Sequence, residues 1–227
     1  MYSNSTIAKY HEKAEMLYQM YKGMPLEKVK VCESVGNRKI GNTINYSLAP
    51  ILSCGGNCRV CIHKCYDIKA CMQYDAVMKA RVRNYYLATE HLNYYFFQID
   101  SSLSRKRTLK PVRFHVGGDI ISLEYLDQMV KLARKHSKRK FWSYTKQYDI
   151  VNTWMEQNGP LPENLVIMYS VWDGLECVNP YNQPTFECVL KGHDAPKGKY
   201  HCNGNCQYCI EHNCGCVAGM SSYVDEH

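Results

Sequence analysis

The cysteines are the residues of this sequence whose type and spacing indicate chemistry. Four of the thirteen, Cys54, Cys58, Cys61 and Cys65, lie in the segment Cys-Gly-Gly-Asn-Cys-Arg-Val-Cys-Ile-His-Lys-Cys. Thiolates that bind iron or zinc must converge on a small centre, and Gly and Asn let the backbone turn tightly between them. We therefore predict that residues 54–65, which carry this first cysteine group, form a metal-binding loop.

A second cysteine group lies near the end of the sequence and consists of Cys202, Cys206, Cys209, Cys214 and Cys216. Its first three members repeat the spacing found at the start of the first group, and His201 and His212 are potential nitrogen ligands beside them. The chain after Cys209 is too short to build another sheet. We therefore interpret this group as an auxiliary iron–sulfur cluster or a zinc site.

Two alternatives to iron–sulfur ligation stay open. Structural zinc sites also use closely spaced cysteine pairs. Reduced thiols without any metal are the other alternative, but cysteine at this density is uncommon outside disulfide-bonded and metal-binding proteins. The remaining cysteines stand apart in the sequence, and we expect each to pack as a small hydrophobic side chain: Cys32, Cys71, Cys177 and Cys188.

The start of the sequence has no segment typical of a secretory signal. Lys9, Glu12 and Lys13 interrupt residues 1–24, so that no apolar stretch of the required length forms. No apolar run elsewhere approaches the length of a membrane span. We therefore expect a cytoplasmic protein with metal-bound thiols in a reducing compartment and without a membrane partner.

Length and charge set further bounds on the interpretation. A chain of 227 residues is long enough for one compact domain with its own hydrophobic core. The formal net charge is +7, and much of the excess falls in two stretches, residues 105–113 and 131–140. These basic stretches indicate binding to nucleic acid or another polyanion, with a solvated surface as the alternative.

The segments between the cysteine groups alternate between strand and helix patterns. Strands are predicted at residues 44–47, 110–116, 141–144 and 165–171. Helices are predicted at residues 5–21, as one long helix over residues 71–97, after the capping residue Ser122, and from Asp149 to the stop at Gly159.

This order predicts an α/β fold with a parallel sheet and right-handed crossovers, as a curved sheet or partial (β/α) barrel. We predict an α/β core over residues 1–179 and a Cys-rich, metal-binding extension over residues 180–227, which has too few apolar residues to hold itself without metal. The carboxyl ends of parallel strands share one edge, where ligands bind in such folds. The first cysteine group, Asp119, Lys146 and Asp173 are expected at that edge.

Part of the sequence resembles radical S-adenosylmethionine (SAM) enzymes. The likeness covers residues 40–175 and consists of a strand, the Cys54-x3-Cys58-x2-Cys61 loop, a long helix and Gly117-Gly118-Asp119. In that family three such cysteines hold a 4Fe-4S cluster, one iron stays open for SAM, and a Gly-Gly-Glu segment holds the amino group of SAM. The resemblance implies the same roles here, with Asp119 in place of the longer Glu and Val60 in place of the usual aromatic residue.

A second resemblance covers most of the chain and is to the phage and mobile-element proteins of the gene product 88 family. The shared residues are Ser53-Cys54, Cys61, Cys65-Tyr66, Arg81 with Asn84, His115-Val116-Gly117-Gly118-Asp119, Phe141 to Thr145, and the second cysteine group. In this register Cys54, Cys61 and Cys65 are the shared cysteines and Cys58 is an addition. The resemblance implies a phage-encoded protein that acts in the cytoplasm of a host cell.

These patterns together predict an iron–sulfur protein with one or two 4Fe-4S clusters and a radical-SAM-like architecture. The residues expected to bind a cofactor are His115, Gly117, Gly118, Asp119, Lys146 and Asp173. If Cys65 stays free, an open iron favours an enzyme that reduces SAM; a closed cluster favours an electron carrier, or a non-enzymatic iron–sulfur or zinc module that binds nucleic acid or a host protein. The partner is then a small molecule, an electron donor or nucleic acid.

Overall fold

The computed structural model describes residues 1–36, 39–190 and 192–225. The α-helices of this part of the chain are α1 (Asn4–Lys22), α2 (Tyr66–Gln73), α3 (Asp75–Glu90), α4 (Leu92–Arg105), α5 (Leu123–Lys135), α6 (Tyr148–Asn158) and α7 (Cys206–His212). The strands are β1 (Ser34–Val35), β2 (Ile44–Tyr46), β3 (Val112–Phe114), β4 (Phe141–Thr145), β5 (Leu165–Val171), β6 (Thr185–Val189), β7 (Tyr200–His201) and β8 (Ser222–Asp225).

The strands form one mostly parallel sheet in the order β1-β2-β3-β4-β5-β6-β8-β7. The four strands predicted from the sequence are β2 to β5, and they lie side by side in chain order with parallel pairing. Only β1 pairs antiparallel among the described strands. The predicted α/β class and the parallel sheet are therefore confirmed, and the consecutive order brings the carboxyl ends of β2 to β5 to one edge.

Helix boundaries follow the capping residues that the sequence offers. The Ser3 hydroxyl accepts the Thr6 N–H at the start of α1, and the Ser122 hydroxyl accepts the Tyr125 N–H at the start of α5. Helix α6 ends at Gly159, whose φ of +80° is a conformation that suits glycine. The helices predicted at residues 5–21, after Ser122 and from Asp149 are thus confirmed.

The single long helix predicted over residues 71–97 is wrong. Helix α2 ends before Tyr74, α3 begins at Asp75, and the chain breaks again at His91, whose φ and ψ are −141° and 51°. No Gly or Pro marks either break. Just before the second break the Thr89 hydroxyl donates to the Tyr85 carbonyl (2.9 Å), and such hydroxyl bonds compete with the helical ladder.

The segment after residue 179 extends the same sheet. Strand β6 pairs parallel with β5, β8 pairs with β6, and β7 pairs with β8. Strand β6 was not predicted from the sequence, although Phe186 and Cys188 alternate with Thr185 and Glu187, and all five of its residues are only partly buried. Metal binding and metal-dependent ordering of this extension stay predictions.

The two faces of the sheet carry different layers. On one face Phe114 of β3 and Phe141 of β4 stack at 6.3 Å and join the main core, in which Phe114 also contacts Phe96 of α4. Trp142 and Tyr144 alternate with Phe141 along β4 and so point to the other face. There they line one cavity with the second cysteine group and Val217, which places that group on the face of the sheet opposite to Phe114 and the main core.

Among the described residues, no helix combines the length and the apolar composition that a membrane crossing requires.

Candidate metal centres

The first cysteine group lies on a loop at the carboxyl edge of the sheet, as predicted. The loop follows β2 in the chain and folds as two short 3-10 helices, Gly55–Val60 and Ile62–Lys64. The Asn57 side chain donates to the Lys146 carbonyl (2.7 Å), and the Gln147 side-chain amide donates to the Cys54 carbonyl. These bonds fix the loop against the end of β4.

The fold brings three thiols of the first group into electrostatic contact. Burial raises the pKa of Cys54 well above its usual value, and the neighbouring Asp119, Cys65 and Cys61 raise it further. Burial raises the pKa of Cys65 to about 11, with Cys61 again among the neighbours that raise it. Burial raises the pKa of Cys58, and Cys61 is the one thiol that raises it further. Cys61 therefore acts on each of the other three thiols, and Cys65 acts on Cys54 as well.

Asp119 is the charged neighbour that contributes most to the raised pKa of Cys54, and its carboxylate accepts hydrogen bonds from three protein donors. Its Oδ1 accepts the Thr145 hydroxyl (2.6 Å) and the Ile120 N–H (2.7 Å), and its Oδ2 accepts the Lys146 N–H (2.9 Å). Burial raises the pKa of Asp119, and these donors oppose the rise. Asp119 therefore ties the segment after β3 to the end of β4, and its predicted contact with a ligand stays a prediction.

Gly117 and Gly118 allow a close approach of two backbone segments. A Cβ atom on Gly117 would lie 1.7 Å from Oδ2 of Asp67, and one on Gly118 would lie 2.6 Å from the Ser53 hydroxyl. Gly118 also has a φ of +84°. The two glycines thus pack directly beneath the cysteine loop, which gives them a structural role whether or not they bind a cofactor.

Asp67 and Arg81 form an ion pair that the sequence analysis did not assign. Arg81 donates through Nε to Oδ2 of Asp67 (3.2 Å) and through Nη2 to Oδ1 (3.1 Å), and the Asp67 side chain is 2% exposed. The two-pronged geometry fixes the carboxylate that Gly117 contacts. The Asn84 side chain is also held by hydrogen bonds. Its Oδ1 accepts the Cys32 N–H, and its Nδ2 donates to the carbonyls of Cys32 and Ser47. Arg81 therefore holds the start of α2, which follows the cysteine loop, and Asn84 holds the segments around Cys32 and Ser47.

His115 lies at the carboxyl end of β3 and is 3% exposed. Its Nδ1 lies 2.8 Å from the Ser143 hydroxyl, and its Nε2 lies 3.1 Å from the Tyr125 hydroxyl. Burial, followed by the charge on Arg113, lowers the pKa of His115 to about 3, so the ring is neutral. Both ring nitrogens have partners inside the core, and its predicted role at a cofactor stays a prediction.

The other two strand-end residues differ in their surroundings. Lys146 donates from Nζ to the Ser170 hydroxyl (3.2 Å), and its ammonium lies 5.3 Å from the ring centre of Trp172. Asp173 is exposed in the turn after β5. In the same turn Gly174 approaches Val60 of the cysteine loop. The residues predicted at the carboxyl edge of the sheet therefore lie in one region. Ligand binding by Lys146 and Asp173 stays a prediction.

The second cysteine group surrounds a small cavity of about 20 Å³. Four of its thiols line this space together with Trp142, Tyr144, Tyr200 and Val217: Cys202, Cys206, Cys209 and Cys216. His201 and His212 lie elsewhere; His201 bonds Asp225 (2.8 Å), and His212 stacks on Tyr208 with ring centres 4.0 Å apart. The geometry therefore favours an all-sulfur set over a mixed Cys/His set.

A buried cation lies beside these thiols. The Arg113 guanidinium lies 4.9 Å from the ring centre of Tyr144, and its Nε is buried without a hydrogen-bond partner in the described part of the chain. Burial opposes the charge on Arg113, but Tyr144, Tyr66, Cys206 and Cys216 raise its pKa overall. Burial also raises the pKa of Cys206, and Arg113 opposes that rise. A cation in this position favours negative charge on the sulfurs.

The donor chemistry of both groups fits a thiophilic metal, because soft thiolates select zinc and iron–sulfur clusters. Among residues 1–36, 39–190 and 192–225, however, no three His, Cys, Asp or Glu side chains are arranged as ligands of one ion. Binding by either group therefore requires rotation of cysteine side chains. Of the cysteines outside the two groups, Cys71 is fully buried as expected, and Cys32, Cys177 and Cys188 are half-buried.

The basic stretches lie before β3 and β4, at the edge opposite to the first cysteine group. Several of their residues bond to the protein itself: Lys106 pairs with Glu33 (2.9 Å), Lys135 pairs with Asp100 (2.7 Å), and Arg139 is buried against the carbonyls of residues 108 and 110. Lys131 and Lys140 are exposed but bond to Asp127 and Asn213, and the other exposed basic residues are Arg105, Arg107, Arg134 and Lys138.

Comparison with known proteins gives one result. A family model described as Gene product 88 matches residues 22–217. No curated protein and no solved structure matches the chain.

Proposed function

The chain belongs to the gene product 88 family, and we propose that it is an iron–sulfur protein of radical-SAM-like architecture whose first cluster is held by Cys54, Cys61 and Cys65. Its proposed chemistry is redox chemistry at the carboxyl edge of the sheet. We propose that it acts in the host cell of a phage, which the family membership supports.

The architecture supports this proposal. Strands β2 to β5 are parallel and consecutive, and the cysteine loop follows the first of them. The carboxyl ends of such strands form the edge where α/β proteins bind cofactors. The loop is bonded to the end of β4 through Asn57 and Gln147, so a cluster on it would have a fixed position relative to that edge.

The single observation that carries the proposal is the grouping of the Cys54, Cys61 and Cys65 thiols. Each of Cys54 and Cys65 has Cys61 among the charges that raise its pKa, and all three lie within one loop. Close thiols raise one another's pKa because like charges repel, and a bound metal removes that penalty. The three cysteines are also the three that the family pattern shares.

The fourth iron ligand decides between the two kinds of redox chemistry. Three thiolates leave one iron of a 4Fe-4S cluster to Cys58, to another donor or to a small molecule such as SAM. Ligation by Cys58 would close the cluster and suit it for electron transfer. An exchangeable fourth position would suit the protein for chemistry on SAM, with the substrate at the strand ends near Lys146 and Asp173.

The second cysteine group would hold a second thiolate-bound metal behind the sheet. Its cavity of about 20 Å³ is close to the space that one water molecule needs, so a single zinc ion would require less movement of the lining side chains than a cluster. Cys202, Cys206, Cys209 and Cys216 supply the sulfurs, and Arg113 supplies a compensating charge. A 4Fe-4S cluster there would require the lining side chains to move apart.

Anaerobic purification with quantification of iron, sulfide and zinc tests the proposal. We expect iron and sulfide in the wild type, and their loss in Cys54→Ser and Cys61→Ser. Cys177→Ser, a change outside both groups, is the matched control and should retain them. A wild-type protein that holds only zinc, or that holds no metal, would contradict an iron–sulfur function.

A second candidate function is nucleic-acid binding through the exposed basic residues at the opposite edge. The observation in its favour is that residues 105–110 and 134–140 precede neighbouring strands and so share that edge. The double variant Arg107→Ser, Arg134→Ser should weaken salt-sensitive binding to a duplex oligonucleotide, with Lys28→Ser as the control. Binding that is absent, or that is unaffected by the double variant, would remove this candidate.

A further inference from the structure

The end of helix α7 brings two cysteines of the second group together. Asn213 follows the helix in the left-handed conformation, with φ and ψ of 47° and 55°. The N–H groups of Asn213 and Cys214 both point to the Cys209 carbonyl, and the Cys214 bond measures 3.1 Å. The bond from Cys214 to Cys209 is the six-residue bond of a Schellman cap, and the bond from Asn213 to Cys209 is that of the simpler αL cap; side chains at the positions of Cys209 and Cys214 frequently touch in such caps. In this chain both side chains are thiols.

A shared hydroxyl confirms that the two thiols lie on one side of the cap. The Cys209 sulfur lies 3.7 Å and the Cys214 sulfur 3.5 Å from the Tyr200 hydroxyl oxygen. Gly215 passes close to the same place, because a Cβ on it would lie 3.1 Å from the Cys209 sulfur. Burial raises the pKa of Cys209 to about 11, and a hydrogen bond with the Cys214 thiol contributes to that rise.

Cys214 also differs from the rest of its group in where it lies. The cavity behind the sheet is lined by Cys202, Cys206, Cys209 and Cys216, and Cys214 lies outside this lining. Cys209 therefore faces the cavity and Cys214 at the same time. A bond between these two sulfurs would remove Cys209 from the set that can hold a metal.

We infer that Cys209 and Cys214 form a thiol–disulfide redox site, which a small-molecule disulfide oxidises to an intramolecular disulfide bond. One thiolate attacks a sulfur of the reagent, breaks its S–S bond and releases one reagent thiol. The second cysteine then attacks the mixed disulfide, forms the bond between residues 209 and 214, and releases the other reagent thiol. The protein loses two electrons and two protons, and both pass to the two released thiols. The reaction requires no metal, and it competes with metal binding at the second cysteine group, because Cys209 belongs to both sites.

Glutathione disulfide added to the full-length protein tests this inference, with one sample as isolated and one treated with a chelator. Remaining thiols are alkylated, and the chain is cut after Glu211, which separates Cys209 from Cys214. We expect the two fragments to stay linked until a reductant is added. Cys214→Ser and Cys209→Ser should abolish this linkage, while Cys202→Ser and Cys216→Ser should retain it.

The cap itself supplies a matched pair of variants. Asn213→Gly keeps a residue that adopts the left-handed conformation, whereas Asn213→Val introduces a β-branched residue that rarely does. Both lose the contact between Asn213 and Lys140, so that contact cancels in the comparison. We expect linkage at the wild-type rate in Asn213→Gly and at least several-fold slower linkage in Asn213→Val. Fragments that never link in the chelator-treated wild type, or a linkage that survives Cys214→Ser, would overturn the inference. Metal analysis of the same samples reports separately on the proposed function.

Discussion

Arg113 on β3 lies across the ring of Tyr144 on β4, with 4.9 Å between the guanidinium carbon and the ring centre. The contact holds a cation on the face of the sheet that the second cysteine group covers. Tyr144 in turn hydrogen-bonds Cys216, which lowers the pKa of that thiol against the rise that burial causes. The two strands thus present a positive charge and a donor to the sulfurs, which is the environment that anionic metal–thiolate centres require.

We predict that Arg113→Met lowers metal retention by the second group. The variant keeps the apolar contact with Tyr144 but leaves the thiolate charge uncompensated, so we expect at least a tenfold loss of affinity, within the range seen when residues that support metal ligands are changed. The measurement is competition against a chromogenic chelator. Arg107→Met, at an exposed position outside the site, is the control and should leave the affinity unchanged. Equal retention in both variants would contradict the assigned role of Arg113.

A second prediction separates the two registers of the first cysteine group. Because Cys61 and Cys65 both act on the Cys54 thiol, whereas Cys61 is the only thiol that acts on Cys58, Cys65→Ala should lose the cluster while Cys58→Ala should retain most of its iron. Iron and sulfide counts measure this difference. The opposite result, loss in Cys58→Ala and retention in Cys65→Ala, would favour the spacing of the radical SAM enzymes.

The same variants test the fourth iron position. If Cys58 closes the cluster, SAM should leave the EPR spectrum of the reduced wild type unchanged and should shift the spectrum of Cys58→Ala. A shift already present in the wild type, together with 5′-deoxyadenosine formed on reduction, would show that the position is open to SAM.

A third prediction concerns the contact between the Gly-Gly segment and the cysteine loop. Gly117→Ala would place a Cβ 1.7 Å from the Asp67 carboxylate, which Arg81 holds in place. We expect a loss in the free energy of unfolding of about 1–3 kcal/mol or more, measured by urea denaturation. Gly56→Ala is the matched control, since a Cβ there meets no atom within 4 Å. Similar losses in both variants would mean that Gly117 does not contact Asp67 closely.

The sequence was sufficient to predict the elements whose signals are local. Strands β2 to β5 appear as short apolar runs, and Ser122 marks the start of α5, because caps and hydrophobic runs act over a few residues. The position of the cysteine loop followed from the rule for parallel strands. The break at His91 was not predictable from Gly or Pro, and the alternation of Phe186 and Cys188 with Thr185 and Glu187 in β6 spans too few residues to identify a strand by itself.

The partners of the site residues depend on contacts between distant segments, which a single sequence does not contain. Asp119 was identified from its motif, but its three donors come from its own loop and from the end of β4. Arg113 was counted as part of a basic stretch, whereas strand alternation turns it inward against Tyr144. The charge pattern alone did not separate this buried arginine from its exposed neighbours.

A last prediction follows from the buried, neutral ring of His115. Its pKa falls from 6.5 to about 3 in the folded protein, so between these values the unfolded chain binds one more proton than the folded chain does. The stabilising contribution of the neutral ring is therefore complete above the unfolded pKa and is lost as the pH falls through 6.5 toward 3. The expected slope from this group is about 1.4 kcal/mol per pH unit in that window.

Urea denaturation of wild type and His115→Gln between pH 7.5 and about 4 measures this slope. Gln can still bond the Ser143 and Tyr125 hydroxyls, but it has no proton to gain, so the wild type should lose stability more steeply with falling pH than the variant. Asp119 and the surface groups titrate in both proteins and cancel in the difference. The φ of +56° at this position adds a constant cost to the variant, which does not change the slope. His11→Gln, at an exposed position, should follow the wild type; equal slopes in all three proteins would show that His115 is not buried as a neutral ring.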